Sequence, residues 1–152
     1  LISRGPEAAL LPALRELGVG LTAYGVLSRG LISGHWSKER AAQPDFRSGL
    51  PRFSGDNLDR NLALVEELRR IAEAKDVTVA QIAIAWVLSR GEDVVPLVGA
   101  RRRDRLTEAL GALDVDLTAD DLAAIEAAVP ADEVAGTRYD AFQMSILDSE
   151  RK

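Results

Sequence analysis

The sequence predicts an α/β fold with a parallel sheet, and a fold that is incomplete on its own. Two short, mostly apolar segments, VGLTAY (19–24) and DVVPLVG (93–99), have the pattern of buried strands. Segments with helical periodicity lie before, between and after them, and this alternation is typical of βα units with a parallel sheet. Because two parallel strands leave both sheet edges open, we expect the 152 residues to be one part of a larger fold.

Two helices and a long loop are predicted in the first half of the chain. The first helix is PEAALLPALRELG, in which Pro12 favours a kink or a late start. The second is DNLDRNLALVEELRRIAEAK, which is amphipathic and which Asp56 or Asn57 can cap. Residues 25–55 lie largely between them and contain five glycines and two prolines. A loop of this length inside a compact domain is usually functional or disordered.

Three further helices are predicted after residue 77. Thr78 and Gln81 form a capping-box pattern at the start of TVAQIAIAWVLSRG, a segment that is apolar nearly all round and should be deeply buried. The other two helices are RRRDRLTEALGAL and LTADDLAAIEAAV, and Thr118 caps the second of these. The chain therefore alternates helix and strand, with a polar tail after Pro130.

Composition excludes several classes of function. The net charge is -5, from 24 acidic and 19 basic side chains, which argues against a general nucleic-acid or membrane-surface binder. With no cysteine, the chain has no disulfide, thiolate metal site or cysteine nucleophile, and His35 alone cannot build a typical zinc site. No apolar run approaches the ~20 residues that span a bilayer, and LISRGPEAAL lacks the apolar core of a signal peptide. We therefore expect a cytoplasmic protein.

The candidate site lies at the carboxyl ends of the two strands, where α/β folds place their function. Four arginines, Arg101, Arg102, Arg103 and Arg105, follow the second strand and open a helix. Unpaired N–H groups at a helix start and guanidinium forks both bind phosphate, and Gly99 lets the backbone approach such a ligand. The alternative is that some of these arginines form a solvated face. No Ser–His–Asp arrangement, P-loop or GxGxxG motif lies at either strand end.

The aromatic residue Tyr24 closes the first strand, and two interpretations of it stay open. One is a half-buried aromatic at the rim of the sheet. The other is a flat ring on which a ligand stacks.

Three long segments resemble the C-terminal part of aldo-keto reductases. They are GVGLTAYGVLSRGLISG, DFRSGLPRFSGDNLDRNLALVEELRRIA and TVAQIAIAWVLSRGEDVVPLVGARRRDRLTEALGALDVDLTADDLAAIEAAV, and the likeness extends from Ser3 to about Tyr139. The resemblance is strongest to the branch of bacterial and fungal reductases that is also similar to the potassium-channel β subunits. It implies strands seven and eight of a (β/α)₈ barrel that passes hydride from NADPH to a small carbonyl substrate.

The same resemblance implies contacts with NADP(H) along two segments. Tyr24 matches the ring that stacks on the nicotinamide, and the next five residues match the wrap around the pyrophosphate. Arg101 and Arg105 match the site of the adenosine 2′-phosphate, and Glu108 matches a contact on the adenine side. The implied cofactor-binding residues are Tyr24, Gly25, Val26, Leu27, Ser28, Arg29, His35, Arg47, Gly99, Arg101, Arg105, Glu108 and Ala109.

The chain departs from the family pattern at two of these places. Gly25, Val26 and Leu27 stand where Ser-Pro-Leu is usual, and Ala109 stands where an Asn commonly touches adenine. Both changes put the strength or geometry of cofactor binding in question. Arg138 and Tyr139 match a C-terminal loop near the substrate mouth.

No catalytic residue is assigned, because the family's Asp, Tyr, Lys and His tetrad belongs to earlier strands that this chain does not match. We expect one partial domain over 1–152, with a cofactor-side loop at 25–55 and a tail at 130–152. Its faces, such as those of AQIAIAWVL, then require a missing barrel segment or self-association. The leading hypothesis is an NADPH-dependent aldo-keto reductase that is active as a complete barrel. The alternative is a non-catalytic NADP-binding or oligomeric interaction module, and the expected partners include no nucleic acid or membrane.

Overall fold

The computed structural model describes residues 1–43 and 45–147. The tail predicted over 130–152 therefore extends beyond them at residues 148–152. Within the described residues, short strands and helices alternate as the sequence predicts, joined by several single turns of 3₁₀-helix. The elements are α1 (Leu10–Glu16), β1 (Leu21–Ala23), α2 (Lys38–Ala41), α3 (Gly55–Ala74), α4 (Val79–Leu88), β2 (Val94–Pro96), α5 (Arg103–Leu110), α6 (Ala119–Ala128) and α7 (Ala141–Ser145).

The two strands pair in parallel, which confirms the predicted sheet. Leu21 lies opposite Val94 and Ala23 lies opposite Pro96. The prediction that both strands are buried is wrong for one face, because Thr22 is exposed and Val95 is 58% exposed. Successive side chains of a strand point to opposite faces, and only the face towards α4 is covered in the part of the chain that the structure describes.

Helix α4 is the centre of the core. Thr78 accepts a hydrogen bond from the backbone N–H of Gln81, whose side chain accepts one from the N–H of Thr78, so the predicted capping box is confirmed. Nearly every residue from Val79 to Val87 is buried against α3, α5 and β2. The expectation that AQIAIAWVL leaves exposed apolar faces is therefore wrong, because the helices of this same chain cover them. Exposed apolar side chains lie instead on the uncovered side of the sheet, as at Val95, and on other elements, as at Leu106 and Leu110 of α5.

One helix start agrees with the sequence prediction and another differs from it. Helix α1 begins late, at Leu10, as Pro12 favours, after a 3₁₀ turn at Gly5–Glu7. Helix α3 begins at Gly55, and its N-cap Ser54 makes no side-chain capping bond, so the prediction of a cap at Asp56 or Asn57 is wrong. The amide of Asn57 instead donates to the carbonyl of Pro51, at 3.0 Å, and ties the helix to the preceding loop.

The loop predicted over 25–55 has a small core of its own. Leu31, Trp36 and Phe53 are buried together with Leu58 of α3, and the rings of Trp36 and Phe53 meet edge to face at 5.2 Å. An edge-to-face pair of this kind is favoured by the ring quadrupoles. The loop is therefore held by its own apolar contacts as well as by those to α3.

The start of the tail is fastened to α3 by one buried amide. Asn61 is 1% exposed, and its side chain donates to the carbonyl oxygens of Arg52 (3.0 Å) and Ala135 (2.9 Å). Its carbonyl oxygen accepts from the N–H of Ala135, at 2.9 Å. Gly136 follows with a φ of 79°, and a Cβ there would lie 2.8 Å from the backbone of Pro51. We call these contacts the tail anchor. They fix the position of the backbone from which the tail continues to Arg138 and Tyr139.

None of the helices in residues 1–43 and 45–147 combines the length and the apolar character that crossing a membrane requires.

An ion pair between α3 and α6 makes stability depend on acid pH. Lys75 Nζ donates to Asp121 Oδ2 at 2.7 Å, and this bond, with those from Thr118, lowers the pKa of Asp121 to about 2. Because the folded pKa lies below the ordinary value of 3.8, the stabilisation is complete above that value and is lost as the pH falls towards 2.

We therefore expect Lys75→Ala to weaken the fall in stability between pH 4 and pH 2, measured as the shift in denaturation midpoint. In an Asp121→Asn background, which removes the titrating group, Lys75→Ala should have no effect on the pH dependence of stability. An equal effect of Lys75→Ala in both backgrounds would show that another acid is responsible.

Candidate functional site

The carboxyl ends of β1 and β2 lie at one edge of the sheet because the strands are parallel. Tyr24 follows β1 directly, and Gly99 and Arg101 follow β2 before α5 begins. Tyr24 is 61% exposed, which is more open than the half-buried rim position considered for it. A Cβ at Gly99 would meet no atom within 4 Å, so the backbone there is open. The edge thus offers an accessible ring and an accessible turn.

The turn after β1 has an unusual backbone. The N–H of Ser28 donates to the carbonyl of Gly25 at 2.7 Å, and Gly25 has a φ of 68°. Ser28 and Arg29 also have positive φ, at 47° and 55°. Such values are uncommon outside glycine and cost about 1–3 kcal/mol each. Val26 is buried and Leu27 packs against the same core, so these two side chains anchor the turn.

The side chain of Arg47 supports this turn from the long loop. Its Nη1 donates to the carbonyl of Arg29 at 2.8 Å, and its guanidinium lies 4.0 Å from the ring centroid of Trp36. The same guanidinium grips both carboxylate oxygens of Asp45, at 2.7 and 2.6 Å. These bonds lower the pKa of Asp45 to about 2. The charge of Arg47 is thus balanced by Asp45, and Arg47 stabilises the turn through its hydrogen bond to Arg29.

His35, Arg105 and Glu108 come together and join the long loop to α5. Arg105 Nη1 donates to Glu108 Oε2 at 2.9 Å and also bonds to His35 Nε2, which lies 3.3 Å from Glu108 Oε1. Burial raises the pKa of Glu108, but hydrogen bonds with Arg105, Thr78 and His35 outweigh it and hold that pKa below its usual value. The side chain of Ala109 packs against the core.

The four arginines after β2 divide into paired and open side chains. Arg102 Nη2 lies 2.7 Å from Asp104 Oδ2, so this arginine has an exposed ion pair. Arg105 is held by Glu108. Among the described residues, Arg101 and Arg103 make no ion pair or side-chain hydrogen bond, and both are exposed. Arg102 is therefore part of an exposed ion pair, whereas Arg101 and Arg103 carry charges that no described acidic group balances.

The tail brings Arg138 and Tyr139 onto the end of β1. Arg138 Nη1 donates to the phenol oxygen of Tyr24 at 2.9 Å, and Arg29 Nη1 donates to the carbonyl of Arg138 at 2.6 Å. The ring of Tyr139 has the guanidinium of Arg29 at 4.5 Å and that of Arg138 at 5.2 Å from its centroid. We call Tyr24, Arg29, Arg138 and Tyr139 the tyrosine clasp.

Seven of the predicted residues form two groups, the tyrosine clasp after β1 and the His35–Arg105–Glu108 group at α5. Gly99 and Arg101 belong to neither group, and Arg47 supports the turn after β1. Sequence reasoning missed Asn61, which holds the tail that completes the clasp. One signal was present, because Asn61 is a polar residue on the apolar stripe of α3, between Leu58 and Val65. A polar side chain on a buried stripe requires partners.

Comparisons with known proteins agree on the family. Residues 1–130 match the Aldo/keto reductase family. The chain is 40% identical over 139 residues to a probable aldo-keto reductase 1 of Glycine max, covering 91% of this chain and 40% of that protein. It is 34% identical over 145 residues to aldo-keto reductase str7 of Strobilurus tenacellus, covering 95% and 43%.

A solved structure has the same arrangement. The glycerol dehydrogenase AKR11B4 of Gluconobacter oxydans superposes with a TM-score of 0.76 at 30% identity, over 83% of this chain and 38% of that one. The chain thus spans about two fifths of the length of the relatives it matches. Its two parallel strands and surrounding helices are consistent with part of the (β/α)₈ barrel of these oxidoreductases. On this evidence the chain belongs to the aldo/keto reductase family.

Proposed function

We propose that this chain is the C-terminal, cofactor-binding part of an NADPH-dependent aldo-keto reductase that reduces aldehydes or ketones. The observation that carries the proposal is the shared sheet edge, where an exposed aromatic ring and an open arginine follow neighbouring parallel strands. NADP(H) has the flat nicotinamide ring at one end, a pyrophosphate in the middle and a 2′-phosphate on the adenosine at the other end. The edge offers partners for both ends, Tyr24 for the ring and Arg101 for a phosphate.

The chemistry of the donors fits NADP(H) better than an unphosphorylated dinucleotide. Arg101 is exposed and unpaired among the described residues, and Arg105 has five N–H donors, of which its contacts with Glu108 and His35 use only part. Two guanidinium groups beside a helix start suit the dianionic 2′-phosphate. Bound NADPH would supply the hydride, and the residues of this chain would bind and orient it.

Several finer points belong to the same proposal. β1 and β2 are barrel strands seven and eight, within the branch that resembles the potassium-channel β subunits. The barrel is completed by a further segment or by self-association, which would cover the exposed Val95 and Leu97. The substrate is a small carbonyl compound, and the protein is cytoplasmic.

The test is NADPH binding and turnover measured together. NADPH fluorescence should change on titration with the protein, and NADPH absorbance should fall when aldehydes and ketones are added. The panel includes glycerol with NADP⁺, because one structural relative is a glycerol dehydrogenase. We expect this chain to bind NADPH, and the complete barrel to turn over at least one substrate of the panel. A folded protein that leaves NADPH fluorescence unchanged would overturn the proposal.

A second candidate function is a non-catalytic NADP-binding or oligomeric module. The exposed apolar side chains on the uncovered sheet face, Val95 and Leu97, favour it, because such surface is usually covered by another chain or segment. NADPH binding without turnover across the whole panel, from a protein that sediments as an oligomer, would support this function.

A further inference from the structure

The ring of Tyr24 is open to solvent, yet its position is fixed by hydrogen bonds. At 61% exposure it has little packing to hold it, and an exposed side chain of this kind changes rotamer within nanoseconds. In this structure Arg138 Nη1 reaches the phenol oxygen at 2.9 Å. A residue 114 positions away in the chain thus contacts the free end of the ring.

Arg138 is itself held from two sides. Its carbonyl accepts a hydrogen bond from Arg29 at 2.6 Å, and Arg29 lies in the strained turn after β1. Two residues earlier, Gly136 rests against Pro51 within the tail anchor, where Asn61 bonds both backbone groups of Ala135. Hydrogen bonds on both sides of Arg138 thus hold the tail in place beside Tyr24.

The second tyrosine completes the arrangement. The ring of Tyr139 has the guanidinium groups of Arg29 and Arg138 at 4.5 and 5.2 Å from its centroid. A hydrogen bond with the Tyr139 side chain, followed by burial, raises the pKa of Tyr24, while Arg138 acts in the opposite direction. Tyr24 is therefore a neutral phenol at physiological pH, and its oxygen is available to accept from Arg138.

We propose that Arg138 is a positioning residue, which fixes the ring of Tyr24 in one orientation so that a planar nicotinamide ring can stack on it. The inference rests on the proposed function, in which Tyr24 is the stacking surface. It departs from the role that the family resemblance implies for Arg138 and Tyr139, because both act here through Tyr24 rather than on the substrate. A ring already fixed before binding loses less rotational freedom when the cofactor arrives.

The experiment uses ¹⁹F NMR with 3-fluorotyrosine, because the chain has only two tyrosines. Tyr139→Phe assigns the two resonances by removing one. We expect Arg138→Ala to shift and narrow the Tyr24 resonance, and Arg138→Lys, which can still donate to the phenol oxygen, to restore part of the shift. The control is Arg70→Ala, which removes a 73% exposed arginine side chain on α3. Circular dichroism confirms that each variant is folded.

The second readout is the dissociation constant for NADPH. We expect Arg138→Ala to raise it about three- to tenfold, the cost of ordering one side chain on binding. Arg138→Lys should recover part of the affinity, and Arg70→Ala should leave it unchanged. A shift of the Tyr24 resonance together with this loss supports the inference. An unchanged Tyr24 resonance in folded Arg138→Ala overturns it.

Failure of the proposed function is distinguishable from failure of this inference. If Arg138→Ala moves the resonance but leaves NADPH affinity intact, the positioning role is overturned while NADPH binding stands. If the unaltered protein does not bind NADPH, both are overturned, and the ¹⁹F spectrum still reports whether the tyrosine clasp exists. Gly136→Ala gives a second route, since its Cβ would collide with Pro51 and should displace the same resonance.

Discussion

Asn61→Ala is expected to lower the free energy of unfolding by about 3–4 kcal/mol. The amide makes three hydrogen bonds to backbone groups, two with Ala135 and one with Arg52, and it is 1% exposed. Removing it leaves buried donors and acceptors without a partner, and each such group costs about 1–3 kcal/mol. The measurement is chemical denaturation, with the unfolding midpoint and slope determined for both proteins.

The matched control is Asn57→Ala, one turn earlier on the same helix. Asn57 is half-buried and makes one side-chain hydrogen bond, to the carbonyl of Pro51. We expect this variant to lose only about 1 kcal/mol, the usual net value of one bond. If both variants lose the same free energy of unfolding, the tail anchor contributes no more to stability than a single hydrogen bond.

The double variant Arg101→Ala/Arg105→Ala is expected to raise the dissociation constant for NADPH by at least about 100-fold and that for NADH less than threefold. The reason is that a guanidinium bonded to a phosphate contributes about 1.5–3 kcal/mol, and only NADPH carries the 2′-phosphate. Arg105 already balances Glu108, so its loss also leaves that carboxylate without its closest cation. The measurement is a fluorescence titration with each dinucleotide.

Arg103→Ala serves as the control for this selectivity. Arg103 is also exposed and unpaired among the described residues, and it begins α5 beside the two altered positions. If Arg103→Ala raises the dissociation constant for NADPH as much as the double variant does, the effect is a general attraction between charges, which salt would screen. An equal loss of affinity for NADPH and NADH in the double variant would contradict the assignment of these arginines to the 2′-phosphate.

Local patterns predicted the helices and strands well. Thr78 and Gln81 are three residues apart and bond each other's backbone, so their capping box depends on nothing distant. The start of α3 was predicted wrongly, because Asn57 bonds to Pro51 and not to its own helix end. Local competition for hydrogen bonds, which the sequence leaves open, decided that boundary.

The sequence alone predicted the two strands and the buried character of α4, because periodicity and spacing act over a few residues. The family was indicated separately, by the resemblance of three long segments to aldo-keto reductases. The tertiary structure decided which face of the sheet is exposed, which arginines are paired, and that His35 meets Glu108 across 73 positions. It also decided that Arg138 holds Tyr24. These contacts join residues that are distant in the chain, and only the packing of the loop and tail against α3 and α5 brings them within hydrogen-bond distance.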